Sequence, residues 1–444
     1  MSEPRDDQAR RYERRFGELR NDYREPAQRD YDRILYSSAF RRLGGVTQVV
    51  AAHEGHVFHN RLTHSLRVAQ ISRRLAQKFR KLQPTECEGV GGIDPDVAEA
   101  AALAHDLGHP PFGHIAEEQL RACVEKSGIL EGFEGNAQSF RIVTKLALRE
   151  EDSPGLNLTR ATLNAILKYP WNRQSAGHQS DKFGVYHSED KDFEFARKLH
   201  AKADERKCAE AEIMDWADDV TYAVHDAEDF YRARLIPLDK LSKLSDSWER
   251  KRFFDGMYAR TELKKHMGTE ERTLLEKTFE KAITSFPIAE DYTGTCEQRS
   301  RLRNFSTNLI GRFVNAITLR VPSNRTERFV EIDPVAKMEV RVLKGLTWFY
   351  VICNPALATQ QFGQREVIRN LFDIFCNAVT SKKHEQQNIV PFAFRDELLE
   401  QESDPKLVTR TVTDLIAGMT ESGLMKLYGR LTGREMGSVL DHLL

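Results

Sequence analysis

The sequence predicts an all-α protein: a helical core to about Leu235, a helical extension beyond it, and one short β-hairpin. Three observations predict this. Apolar residues recur at helical spacing along most of the 444 residues. Prolines and capping residues stand where those patterns stop. Around Leu319 to Ile332, β-branched and charged residues alternate with Pro322 and Asn324 between them, which is hairpin chemistry. A chain this long exceeds the size at which one core usually stops growing, so a large core with appended lobes is expected.

The elements follow in order. Residues 61–79 read as a helix with Leu62, Leu66, Ala69 and Leu75 on its apolar face. Residues 96–107 form an alanine-rich helix that starts from a cap at Asp94 or Asp96. It has to end by Pro110-Pro111, because proline lacks a donor and clashes with the preceding turn. A new helix runs over about 113–127. Residues 153–190 are rich in Gly, Pro, Asn and Ser and are expected to be mostly loop. A long amphipathic helix spans 211–232 and is closed by Pro237. After the hairpin, helices resume at Ala336 and continue to the end.

Composition narrows the function. Hydrophobic residues make up 40% and charged residues 30%, ordinary values for a folded soluble chain. Lys and Arg number 66 against 67 Asp and Glu, a balance that argues against a dedicated duplex-binding protein but leaves room for a local basic pocket. The segment from Met1 to Arg15 is crowded with charge and lacks the apolar run of a signal peptide. The longest apolar run, Leu346 to Cys353, is too short to span a bilayer. Six scattered cysteines form no Cys-x-x-Cys pair and read as free thiols in a reducing, cytoplasmic setting.

Four residues stand out as metal-ligand candidates: His64, the pair His105-Asp106, and Asp218. Each falls on a predicted helix, and the three helices are separate in sequence. Imidazole and carboxylate suit a borderline divalent ion. Neighbouring helix residues point about 100° apart, so His105 and Asp106 can share one ion only near the helix end. Each candidate alone has a blander explanation as a surface or capping group. Asp219 competes with Asp218. Asp218, Tyr222 and Asp226 repeat at i, i+4 and i+8 on one helical face, which favours Asp218. His109 and His114 flank the Pro-Pro break. Glu117 lies three residues after His114, where it can orient the imidazole for acid or base work near neutral pH.

The surrounding segments carry a family resemblance. They are Asp32-Arg33-Ile34-Leu35-Tyr36-Ser37-Ser38-Ala39-Phe40-Arg41-Arg42-Leu43, Arg61-Leu62-Thr63-His64-Ser65-Leu66, Ala104-His105-Asp106-Leu107-Gly108-His109-Pro110-Pro111-Phe112-Gly113-His114, Gly132-Phe133-Glu134-Gly135-Asn136-Ala137-Gln138 and Met214-Asp215-Trp216-Ala217-Asp218-Asp219-Val220-Thr221-Tyr222. In this order they resemble the dGTP triphosphohydrolase family of HD-domain enzymes, strongly over residues 30–229 and more weakly to about Phe375. Two departures stand against the family pattern: Gly44-Gly45-Val46-Thr47-Gln48-Val49, where a Gln and a Lys are usual, and Ala116, where Gly is frequent.

The resemblance implies an HD-domain catalytic core over residues 1–235. Residues 236–444 would be a helical extension that completes the pocket and makes oligomer contacts. It implies that His64, His105, Asp106 and Asp218 hold one divalent ion per subunit: Mn²⁺ or Mg²⁺ first, with Fe²⁺, Ni²⁺, Co²⁺ or Zn²⁺ as alternatives. His114 and Glu117 would be the catalytic pair, with His109 beside them. No Walker loop is present, so side chains must supply charge for a triphosphate. Arg61 lies one helical turn before His64 and can reach a phosphate; Lys168, Tyr169 and Lys182 match phosphate-contacting positions, and Asn136 is a further match. Gln48 and Tyr222 match positions that meet the deoxyribose, and Gln48 or Asp226 would bond its 3′-hydroxyl.

The expected activity is hydrolysis of dNTPs, dGTP or several, to deoxynucleoside and triphosphate by a cytoplasmic homo-oligomer. Hexamer and tetramer are the implied sizes, and nucleotide or single-stranded DNA the implied effector. Two rivals stay open: an HD phosphohydrolase acting on another nucleotide, and a nucleic-acid-binding regulatory protein that keeps the fold.

Overall fold

The structure is a computed structural model that describes residues 9–17, 22–48, 59–148, 153–174, 181–200, 204–243, 247–259, 268–381 and 383–437. It is all-α apart from one two-stranded antiparallel ribbon, in which Ile317–Leu319 pairs with Val330–Ile332. Among the described residues no helix is long and apolar enough to cross a membrane. None of the six cysteines forms a disulfide.

The first core is built on three helices. Arg61–Leu82 lies along Pro95–Ala104, and Ala209–Arg232 packs against both. The alanine face of Pro95–Ala104 is fully buried, which lets its neighbours approach closely. Phe79, Leu75, Val97, Leu103 and Val220 fill the space between. Burying side chains of this size stabilises by about 1.5–3 kcal/mol each. The expected face of the first helix needs one correction. Leu66 is 41% exposed, and the stripe that faces inward runs instead through His64, Ser65, Val68, Ile71, Ser72 and Leu75. Leu75 lies nine residues after Leu66, about two and a half turns, so the two cannot share a face.

One further expectation is corrected. The alanine-rich helix, capped by the Asp94 side chain, stops at Ala104, so His105 and Asp106 stand on the turn beyond it rather than on the helix. The described residues of the segment 153–190 are mostly loop, as expected, and include one α-helix, Arg160–Ile166, whose first turn is capped by the Thr159 hydroxyl.

A second core joins the His114–Lys126 helix to the C-terminal helices Pro355–Val379, Pro405–Ala417 and Glu421–Leu431. Two links tie these last helices to the front of the molecule. The Arg42 guanidinium donates to the carbonyls of Leu107 (2.6 Å), His109 (2.9 Å) and Met419 (3.2 Å). The Glu421 carboxylate accepts from the backbone N–H groups of Thr47 (2.8 Å) and Phe112 (3.1 Å). The turn after Pro110-Pro111 has Phe112 and Gly113 at positive φ, 67° and 59°, which reverses the chain into the His114 helix.

Candidate active site

The turn at 105–109 is held from behind. The Ser139 hydroxyl donates to the His105 carbonyl (2.9 Å) and accepts from the Gly108 N–H (2.9 Å). A Cβ at Gly108 would lie 2.1 Å from the Gly135 carbonyl oxygen, so glycine alone lets this turn meet the start of the Gly135–Arg141 helix. The contact fixes His105, Asp106 and His109 relative to Gly135 and Asn136.

His64, His105 and Asp218 converge from three elements, with ligand atoms within 4.8 Å of one another. His64 Nε2 lies 3.0 Å from Asp218 Oδ1. His105 Nδ1–H donates to the Ala102 carbonyl (2.6 Å), which leaves Nε2 as the lone-pair nitrogen. That Nε2 is buried and has no hydrogen-bond partner; the Asp106 and Asp218 oxygens lie 3.4 and 3.7 Å away. Asp106 sits between Arg61 Nη1 (2.8 Å) and His109 Nδ1 (3.1 Å). Burial opposes charge on Asp106 and Asp218, but the cations around them outweigh it and hold both well below the usual carboxylate range. The two imidazoles and the ionised Asp218 carboxylate around an orphaned buried nitrogen, with Asp106 beside them, fit a divalent cation. Asp219 turns away and pairs with Lys344.

A second cluster adjoins the first. His114 Nδ1 lies 2.6 Å from Glu117 Oε2, and Glu117 Oε1 accepts from the Gly135 N–H (2.8 Å). Burial works against a charged Glu117, yet His114, His109 and Lys182 keep it well below its ordinary value. The His114 side chain is 69% exposed, so its Nε2 edge is open to a ligand. Its ring meets His109 edge-on at 5.7 Å.

Around these clusters stand the cations expected from the sequence. Lys168 bridges Asp218 (2.7 Å) and Asp215 (3.0 Å). Lys182 lies 3.0 Å from Glu134 and 3.4 Å from Glu117. Asn136 donates its side-chain amide to Glu134 (2.8 Å). Tyr169 packs edge-on against Trp171 under the Lys207 ammonium. On the far side of Asp218, Tyr222 is half-buried and Asp226 is buried with Oδ2 unpartnered. Gln48 is half-buried, and its Oε1 also lacks a partner. Burial and the nearby Asp229 raise the Asp226 carboxyl well above its ordinary value.

Sequence reasoning missed Glu134, Asp215 and Lys344. Glu134 caps the Gly135–Arg141 helix and steadies both Lys182 and Asn136. Its position just before Gly135-Asn136 was a readable capping signal. Asp215 and Lys344 carried none.

The buried His109 and the half-buried His200 are among the histidines that make the fold acid-sensitive. Burial and the Arg61 charge push His109 down to about 4. Burial and Arg197 do the same to His200, outside the site, whose Nε2 accepts from Asn164 (2.8 Å). An unfolded chain takes both protons near pH 6.5. Stability is therefore full above about 6.5 and falls as the pH drops toward about 4, by up to about 1.4 kcal/mol per pH unit for each group. Urea denaturation of metal-stripped protein across that window checks this, and a flat profile would contradict neutral buried rings.

With this geometry in hand, similarities to known proteins align with it. The HD domain family matches residues 61–223, the stretch from Arg61 to just past Tyr222. A phosphohydrolase-associated domain matches residues 330–430. A deoxyguanosinetriphosphate triphosphohydrolase-like protein of Streptomyces coelicolor is 38% identical over 423 residues, covering 91% of this chain and 92% of that protein. One of the same description from Corynebacterium efficiens is 33% identical, covering 94% and 92%. Another, from a Caulobacter species, is 43% identical over 53% of this chain and 54% of its own length.

Proposed function

Since the chain belongs to the deoxyguanosinetriphosphate triphosphohydrolase-like family of HD-domain proteins, we propose that it hydrolyses dNTPs to deoxynucleoside and intact triphosphate with the help of one divalent ion. The observation that carries this reading is the convergence of His64, His105 and Asp218 beside the His114–Glu117 pair. His64, His105, Asp106 and Asp218 would hold the ion, Mn²⁺ or Mg²⁺ by preference. When bound, such an ion supplies Lewis-acid polarisation and charge neutralisation at a phosphoryl oxygen.

The chain's own groups do the rest. Arg61, Lys168 and Lys182 draw in and orient the triphosphate. Glu117 holds His114 Nδ1–H and leaves Nε2 to take a proton from water. The water oxygen bonds to the α-phosphorus as the bond to the 5′-oxygen breaks. The proton then returns to the departing 5′-oxygen and completes the deoxynucleoside. Tyr222, packed against C2′, leaves no room for a 2′-hydroxyl, and Gln48 and Asp226 offer acceptors to the 3′-hydroxyl.

The test is a product assay. Each dNTP and NTP is incubated with Mg²⁺ or Mn²⁺, singly and mixed, and products are resolved by ion exchange. Deoxynucleoside and unbroken triphosphate from dNTPs alone supports the reading; pyrophosphate or monophosphate release sinks it. Tyr222→Ala is expected to raise NTP turnover about tenfold or more relative to dNTP, the scale of a buried hydroxyl's 1–3 kcal/mol. Unchanged selectivity in the same assay would remove Tyr222 from the sugar site.

A further inference from the structure

We propose that Lys344 is a specificity-determining residue that acts through Tyr222, fixing the tyrosine ring where it excludes a 2′-hydroxyl. The inference rests on the dNTP reading above. Lys344 lies on Pro334–Thr347, a helix of the C-terminal half that packs along Ala209–Arg232. Its ammonium sits 5.4 Å from the Tyr222 ring centroid, inside the roughly 6 Å range of a cation–π contact. The same ammonium pairs with Asp219, three residues before Tyr222 on the same helix. Residues three apart on a helix are surface neighbours. One cation is thus tethered to the helix that bears the tyrosine and rests on the tyrosine's face.

The arrangement has a purpose that packing alone does not supply. Tyr222 is only half-buried, so the core does not close around its ring. A ring that swings away admits a hydroxyl; a ring held from its open face does not. The Lys344 charge also reaches Asp226, one helical turn further on, so a single side chain acts on two of the groups assigned to the sugar. Asp219 gains a role here that differs from that of Asp218: it holds the lysine, not the ion.

The competing role for an accessible lysine beside this site is a phosphate contact. Such a contact would serve ribo- and deoxyribonucleotides equally. The measured quantity is therefore the ratio of kcat/KM for a dNTP to that for the matching NTP. Both values come from one preparation, so any loss of folded protein cancels. Lys344→Met keeps the side-chain length and removes the charge; it is expected to lower the ratio about threefold to thirtyfold, the span of a cation–π contact at 1.4 kcal/mol per tenfold. Lys344→Arg keeps a cation over the ring and is expected to hold the ratio within about twofold. A discriminating wild type whose ratio is unmoved in Lys344→Met, with KM raised equally for both nucleotides, overturns the inference and leaves the dNTP reading standing. A wild type that hydrolyses NTPs as readily as dNTPs overturns both.

Discussion

Asp218→Ala is expected to lose its divalent ion and to fall about a thousandfold or more in kcat. Asp218 is the shared partner of the cluster: Oδ1 faces His64 and His105, and Oδ2 holds Lys168. Its removal takes away one anionic ligand and leaves the half-buried Lys168 with its Asp215 pairing. Two neutral imidazoles and Asp106, already engaged by Arg61, make a poor site for a hard or borderline cation. Metal assistance is worth several kcal/mol of transition-state stabilisation, and 1.36 kcal/mol is tenfold in rate. Elemental analysis of metal per chain, paired with the product assay, reads both effects. Asp219→Ala is the control. Asp219 pairs with Lys344 and takes no part in the cluster, so that variant keeps its metal. Full metal content in Asp218→Ala would show that the ion sits elsewhere.

His114→Ala is expected to keep the metal and lose about 10²–10⁴ in kcat, the usual contribution of a positioned general base. The side chain is mostly exposed and stands outside the His64–His105–Asp218 group. Glu117 makes a poorer test. It is buried and also holds the Gly135 N–H and Lys182, so its loss disturbs structure as well as chemistry. Metal analysis, a thermal melt and single-turnover kinetics on His114→Ala separate these effects. A variant that keeps more than a tenth of wild-type kcat would move the base elsewhere, with His109 the nearest imidazole.

Much of the fold was legible because local chemistry states it. Pro110-Pro111 stand in the break between two helices, Asp94 caps, and the hairpin expected around 319–332 is present as Ile317–Leu319 paired with Val330–Ile332. The failures were also physical. Leu66 was placed on the core face by its type, although its angle about the axis puts it in solvent. The Arg160–Ile166 helix was hidden inside a run of loop formers because Thr159 alone signals its start. In the site, the residues brought together were those in dense motifs. Lys344 and Glu421 were invisible because they meet their partners across more than a hundred residues, and periodicity carries no information about such pairing.

Those distant partners govern the order in which the chain is assembled during synthesis. Glu421 binds the backbone at Thr47 and Phe112, and Met419 shares Arg42 with the turn that bears His109. The His114–Lys126 helix buries its apolar face against segments made about 240–300 residues later. At about 5–20 residues per second, those segments reach the growing chain some 12–60 s after the helix itself. Throughout that interval the nascent chain carries a helix with an uncovered apolar face, and the turn at Phe112 lacks its contact with Glu421. Pulse-labelled ribosome-bound chains arrested before residue 405 should therefore be more protease-sensitive at 110–126 than released ones.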